Sequence, residues 1–118
     1  MHACAIKYLT KPETIHFVGC SMGKSYPPSS LDQCASEIGI KDSTKDKISA
    51  CAESVEGDKL LAAHGEKTHS LRPTLFFVPS VTFDDVLEVE KMWQSQNDFH
   101  GVICSELDDA PKFCSKLS

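Results

Sequence analysis

Thr74-Leu75-Phe76-Phe77-Val78-Pro79-Ser80-Val81-Thr82-Phe83 is the one run of this 118-residue chain that is dense in β-branched and aromatic side chains, and its reading decides the fold. Such residues suit a pleated, half-buried surface. With Asp84-Asp85 as a turn and Val86-Leu87-Glu88-Val89 returning, the segment predicts a β-hairpin. Pro79 interrupts it, and a proline inside a strand pattern requires an edge, a bulge or a special turn. An X-Pro bond costs only about 0.5 to 1 kcal/mol in cis, so Val78-Pro79 is a candidate cis peptide. Two strands do not stand alone in water, and helices must cover them.

Those helices are legible upstream of Arg72-Pro73. Thr10-Lys11-Pro12-Glu13 has the T-x-x-E form of a capping box and leads into Ile15, Phe17, Val18 and Met22, with Gly23 as the stop. A short helix over His2 to Leu9 precedes it. After the loop Ser25 to Ser29, Ser30-x-x-Gln33 offers a second capping box and Gly39 a C-terminal stop. Lys41 to Lys47 is polar, and Ile48, Cys51 and Ala52 then predict a brief helical piece. Leu60, Leu61, His64, Thr68 and Leu71 recur at helical spacing and outline a longer helix through about Ser70, weakened by Gly65. Downstream of the hairpin, past the polar run Gln94 to Asn97, a further helical period over Phe99, Val102, Ile103 and Leu107 carries Cys104. The expected class is α+β, mostly helical with one β-hairpin. It is read as a single domain, 1–118, with a helical part over 1–71 and a hairpin plus C-terminal helix over 72–118.

Composition narrows the setting. The net charge of −5 removes the basic footprint on which phosphate binding depends, so nucleic acid is excluded as a partner. No apolar run approaches the roughly 18 to 20 residues of a membrane span. Cys4, Cys20, Cys34, Cys51, Cys104 and Cys114 are even in number, and no pair has C-x-x-C or zinc-knuckle spacing. An even count in a small chain predicts three disulfides made in an oxidising compartment, hence a secreted protein. His2 to Leu9 lacks the apolar core of a signal peptide, and Met1 is read as a start that replaces a removed leader.

In order and spacing, Cys51-Ala52-Glu53-Ser54-Val55-Glu56-Gly57, Leu60-Leu61, Gly65-Glu66-Lys67-Thr68, Leu71-x-Pro73, Phe77 to Phe83, and Gly101 to Leu107 with Cys114 beyond resemble the gamma-interferon-inducible lysosomal thiol reductases, particularly the insect-type members. The resemblance implies a partial thioredoxin-like fold, stapled by disulfides, with Pro79 as the cis-proline. The family's chemistry is thiol–disulfide exchange, which needs a low-pKa thiolate and a resolving thiol two residues away. Neither the C-x-x-C nor the family's Cys-Gln-His-Gly signature occurs here, so the chain looks like a short form without the N-terminal catalytic half, and no enzymatic activity is expected of it. Short members of this type are similar to secreted salivary proteins of blood-feeding insects, such as the anticomplement protein of sand flies. By that likeness the partner is a host defence protein, a component of the classical complement pathway, and the location is saliva. The alternative is a truncated or degenerate thiol reductase with residual thiol–disulfide oxidoreductase activity.

Candidate sites follow from charge and residue type. Between Phe83 and Ala110 there are eight acids against the single Lys91, and a clustered acidic face steers association with a basic partner. Asp84, Asp85, Glu88 and Glu90 are the candidate partner-binding acids. Trp93, among polar neighbours, is a candidate anchor because aromatics concentrate binding energy at interfaces. No metal site and no cofactor is expected: His64 and His69 are about 140° apart around a helix, and Asp108-Asp109 lacks the order of a calcium loop. Pro111 favours a chain return that pairs Cys104 with Cys114. Cys20–Cys34 is the next expectation, leaving Cys4–Cys51, although many pairings are open to six cysteines.

Overall fold

A computed structural model describes residues 1–116; Leu117 and Ser118, the end of the expected 72–118 part, lie outside the described residues. The chain divides into two compact units, Met1–Gly65 and Glu66–Ser118.

The first unit is built from α1 (His2–Tyr8), α2 (Lys11–Met22), α3 (Leu31–Glu37), α4 (Asp42–Ala52) and the first part of α5 (Val55–Ser70). Thr10 starts α2 through the capping box: its Oγ1 accepts from the Glu13 amide, and the Thr10 amide donates to Glu13 Oε2 at 2.9 Å. Pro12 falls in the first turn, where its missing N–H costs nothing. The second expected box does not form. Ser30 precedes α3, but its hydroxyl is buried and bonds to Ser21 Oγ at 2.8 Å and the Pro27 carbonyl at 2.7 Å, while Gln33 turns to Glu37. The local capping signal loses to a tertiary hydrogen bond. Gly39, at φ +74°, turns the chain out of α3 in the left-handed region that glycine enters without a Cβ penalty.

Packing in this unit is continuous. Cys4, Ala5, Leu9, Phe17, Cys34, Ala35, Ile40, Ile48 and Cys51 form one buried cluster drawn from α1 to α4 and their connections. Two disulfides run through it, Cys4–Cys51 joining α1 to α4 and Cys20–Cys34 joining α2 to α3. Buried polar atoms are satisfied: Ser21, which has no accessible surface, meets His2 Nε2 at 2.9 Å as well as Ser30. At the junction of α4 and α5, Ser54 Oγ donates to the Cys51 carbonyl and accepts from the Glu56 amide. The helices approach so closely there that a Cβ on Gly57 would collide with the Cys51 carbonyl oxygen.

The second unit overturns the expected class. Among the described residues there is no strand and no sheet; the fold is all-helical, and the α+β assignment with its hairpin is corrected. A single antiparallel bridge, Phe83 with Val86, is what exists of the hairpin. Asp84 (φ 49°) and Asp85 (φ 62°) form its two-residue turn, with both central residues left-handed as a type I′ turn demands. The turn is present but the strands are not. Phe76, Phe77, Val78 and Pro79 stay exposed without a partner strand, and proline has no N–H to give to one. The sheet that a partial thioredoxin-like fold calls for is therefore not found among the described residues. Val89, expected to end the returning strand, instead begins α6 (Val89–Asn97), and the polar run Gln94 to Asn97 is that helix's last turns. Val89, Met92, Trp93 and Gln96 have helical spacing, and the buried Met92 and Ser95 lie on one face. Asp98 closes α6 and caps α7 (Phe99–Glu106) by accepting from the Gly101 amide at 2.9 Å. The third disulfide, Cys104–Cys114, ties α7 to a 3₁₀ turn at Cys114–Lys116.

Candidate partner-binding site

The residues singled out for partner binding all belong to the second unit, and they fall into two groups. The first surrounds the Asp84-Asp85 turn. Mutual backbone hydrogen bonds between Phe83 and Val86, 2.9 and 3.2 Å long, close the turn, and Leu87, fully buried, anchors the chain just beyond it. Both aspartates are exposed. Asp84 also lines a cavity of about 300 Å³ whose walls are Val81, Thr82, Phe83, Phe99, Ile103 and Leu107, with Glu106 as its second acid. An apolar pocket with carboxylates on it suits a basic group carried on an apolar stem.

Lys91 sets how much of the acidic charge is available. Its ammonium bonds Glu88 at 2.9 Å and Glu106 at 2.9 Å. The bond to Glu88, followed by that to Glu106, raises the Lys91 pKa and keeps the ammonium charged. Glu88 and Glu106 thus share one positive charge within the chain, while Asp84 and Asp85 face solvent and Glu90 accepts a long bond of 3.4 Å from Gln94. The lysine lowers the repulsion between these two carboxylates.

The second group is aromatic. Trp93 projects from α6, 43% exposed, and its ring meets Phe77 with centroids 4.8 Å apart at a 47° tilt. Phe76 and Val78 beside it are 61% and 74% exposed, so the segment 76–78 presents an apolar patch rather than a covered core. α6 holds that segment in place: Gln96 Nε2 donates to the Pro79 carbonyl at 3.0 Å, and Ser80 Oγ bonds the Phe77 carbonyl and lies 3.2 Å from the Met92 sulfur. The Val78-Pro79 peptide is cis, as is Arg72-Pro73. Sequence reasoning missed Phe77, Gln96 and Lys91. The i, i+3 spacing of Trp93 and Gln96 was the available signal for one helix face, hidden by the strand reading of Val86 to Val89.

The cysteines are all closed within the chain, as Cys4–Cys51, Cys20–Cys34 and Cys104–Cys114. Among the described residues one group of three metal-type donors lies together, Cys20, Cys34 and Glu37, with ligand atoms within 4.8 Å of one another. The two sulfurs are bonded to each other and carry no thiolate charge, so in this state the group has no affinity for a cation. His2 is the buried-edge histidine: burial lowers its pKa, the N-terminal ammonium adds to the effect, and the neutral ring bonds Ser21. No helix among the described residues is long and apolar enough to cross a membrane.

Comparison with known proteins gives a consistent result. The chain is 30% identical to "GILT-like protein 1" of Drosophila melanogaster, over 98% of this chain and 52% of the fly protein. It is also 30% identical to a "Gamma-interferon-inducible lysosomal thiol reductase-like protein" of Anopheles gambiae, over 99% of this chain and 53% of the mosquito protein. No protein-family profile matches it, and no solved structure does. The chain spans about half the length of these curated insect relatives, and along nearly its whole length it is similar to GILT-like proteins.

Proposed function

We propose that this chain is a member of the GILT family, housed in an oxidising secretory or lysosomal compartment, that acts by binding a protein partner and performs no thiol–disulfide exchange of its own. One observation carries the reading: all six cysteines are closed in bridges inside the chain, and no two of them stand two residues apart. Exchange needs an attacking thiolate and a resolving thiol beside it, and this arrangement supplies neither. The apolar cavity edged by Asp84, the solvent-facing Asp85 and Glu90, and the Trp93–Phe77 patch support a basic protein partner with apolar anchors.

In its finer form the proposal names that partner as a host defence protein of the classical complement pathway, met by a secreted salivary protein. Support comes from the resemblance to short salivary members of this type and from the local excess of acid. Haemolysis of antibody-coated erythrocytes in serum tests it: the protein at micromolar concentration should suppress lysis, and unchanged lysis would sink it. The name of the mosquito relative favours a second reading, a degenerate reductase with residual activity. An insulin-reduction turnover assay separates the two, because a rate above the uncatalysed dithiol background would favour the enzyme.

A further inference from the structure

We propose that reduction of the Cys20–Cys34 bridge converts it, together with Glu37, into a three-donor site for a soft divalent cation such as Zn²⁺. Three observations place the donors. Cys20 lies in the last turn of α2 and Cys34 in α3, and Glu37 is three residues beyond Cys34, on the same face of α3. Their ligand atoms already lie within 4.8 Å of one another. The Glu37 carboxylate is held by one oxygen only: Lys24 at 2.8 Å and Gln33 at 2.9 Å both donate to Oε1. Oε2 is thereby aimed at Cys20 Sγ, 3.2 Å away. A disulfide sulfur has no hydrogen to offer, so that approach gains nothing as a hydrogen bond in the oxidised chain. It is the position a carboxylate takes beside a metal-bound thiolate.

The redox step balances with a small thiol as reductant. Its thiolate attacks Cys20 Sγ, the S–S bond breaks, and Cys34 Sγ leaves with the electron pair. A second reductant thiolate resolves the mixed disulfide, so two electrons enter the protein and the reductant departs as its own disulfide. Zn²⁺ then replaces both thiol protons, which go to solvent, and takes Glu37 Oε2 as its third protein ligand with water as the fourth. Two Zn–S bonds of about 2.3 Å in tetrahedral geometry set the sulfurs roughly 3.8 Å apart. The Cα atoms of Cys20 and Cys34, 5.8 Å apart, permit this opening through side-chain torsions. Cys20 is partly exposed and reachable, whereas Cys4 and Cys51 are 1% and 2% exposed and shielded from the reductant. Cys104 and Cys114 are partly exposed as well, and Zn²⁺ binding that persists in Cys104→Ala/Cys114→Ala assigns the site to Cys20 and Cys34.

The test treats the full native chain with limiting dithiothreitol, removes the reductant, and maps the free thiols by alkylation and mass spectrometry. Zn²⁺ is then titrated against a chromophoric chelator, and Co²⁺ absorption reports the ligands. The expected result is one Zn²⁺ per reduced chain and none for the oxidised chain, with a thiolate-to-cobalt band and tetrahedral d–d bands. Glu37→Gln should weaken Zn²⁺ binding about tenfold with the same thiols free and the same helicity, and the double variant Cys20→Ala/Cys34→Ala should abolish it. Failure of the chain with free Cys20 and Cys34 to bind Zn²⁺ would overturn the proposal. So would equal binding by the oxidised chain, by Glu37→Gln or by the double alanine variant.

Discussion

The two units answer the same problem, a small apolar core, in opposite ways. In Met1–Gly65 the helices are short, yet nine buried residues from four helices and their connections form one cluster, and two bridges cross it. In Glu66–Ser118 the fully or nearly buried side chains are few, chiefly Leu87, Met92, Ser95 and Val102, and one bridge lies close to the end of the chain. Both units leave large apolar side chains facing water, but those of the first, such as Ile15, Met22 and Leu61, are mostly aliphatic, whereas those of the second include the aromatic rings of Phe76, Phe77, Trp93, Phe99 and Phe113. Order near the chain start comes from packing reinforced by covalent ties between distant residues. In the later unit it comes from local devices: a two-residue turn, a helix cap and an ion-paired lysine. What separates the two surfaces is the exposed aromatic rings, which concentrate binding energy at interfaces.

Removing the Cys4–Cys51 bridge tests this contrast hardest. It closes a separation of 47 residues, so the double variant Cys4→Ala/Cys51→Ala should lose about 4 kcal/mol in urea unfolding, against about 3 for Cys104→Ala/Cys114→Ala, whose bridge spans 10. Equal losses would break the comparison. Next comes Met92→Ala, expected to cost about 2 to 3 kcal/mol, with amide exchange accelerated in α6 and α7 and little changed in α1 to α4. Uniform acceleration through the chain would show that the units share one cooperative core. A smaller effect belongs to Asp84→Val, about 1 to 2 kcal/mol, because a β-branched residue resists the left-handed backbone of the turn, and Asp84→Gly should be close to neutral. Trp93→Ala should change stability by less than about 1 kcal/mol while weakening partner binding at least tenfold, as expected of a half-exposed aromatic anchor.

The smallest effect is a pH slope. Burial holds the His2 pKa below its ordinary value, so the folded chain prefers the neutral ring. As pH falls through about 6.5, the unfolded chain takes up this proton first, and stability drops until the folded ring is protonated too. His2→Gln should flatten the melting temperature over that window, and an unchanged slope would locate the titration elsewhere.

Legibility from sequence divides along the same line. Helix starts and stops that rest on backbone chemistry, such as Thr10-x-x-Glu13 and Gly39, are written locally and could be read locally. So could the closure of the six cysteines, from their even count and their spacing. Ser30 shows where this ends: its capping pattern is sound, but the hydroxyl answers to Ser21, nine residues away. The hairpin failed for a related reason. β-Branched and aromatic residues report what a strand would accept, and they say nothing of whether a partner strand is there to pair with. Asp84-Asp85 was still readable as a turn, since two short acidic residues tolerate positive φ in any context. At the candidate site the acids were visible by type, but the neutralising role of Lys91 depends on Glu106, 15 residues beyond it and on the next helix.

Gly57 limits how this chain can vary. Any side chain there meets the carbonyl of Cys51, the residue that also carries one end of the Cys4–Cys51 bridge, so the clash cannot be relieved by sliding α4 aside without pulling on α1. Gly19 and Gly65 have open space around their Cβ positions. In a library that replaces every glycine by alanine, position 57 should be depleted for its clash with backbone and position 39 for its left-handed φ, position 101 should cost Asp98 its cap, and positions 19 and 65 should pass unnoticed. The covalent tie that stabilises the first unit thus also removes its freedom to absorb a single extra methyl group.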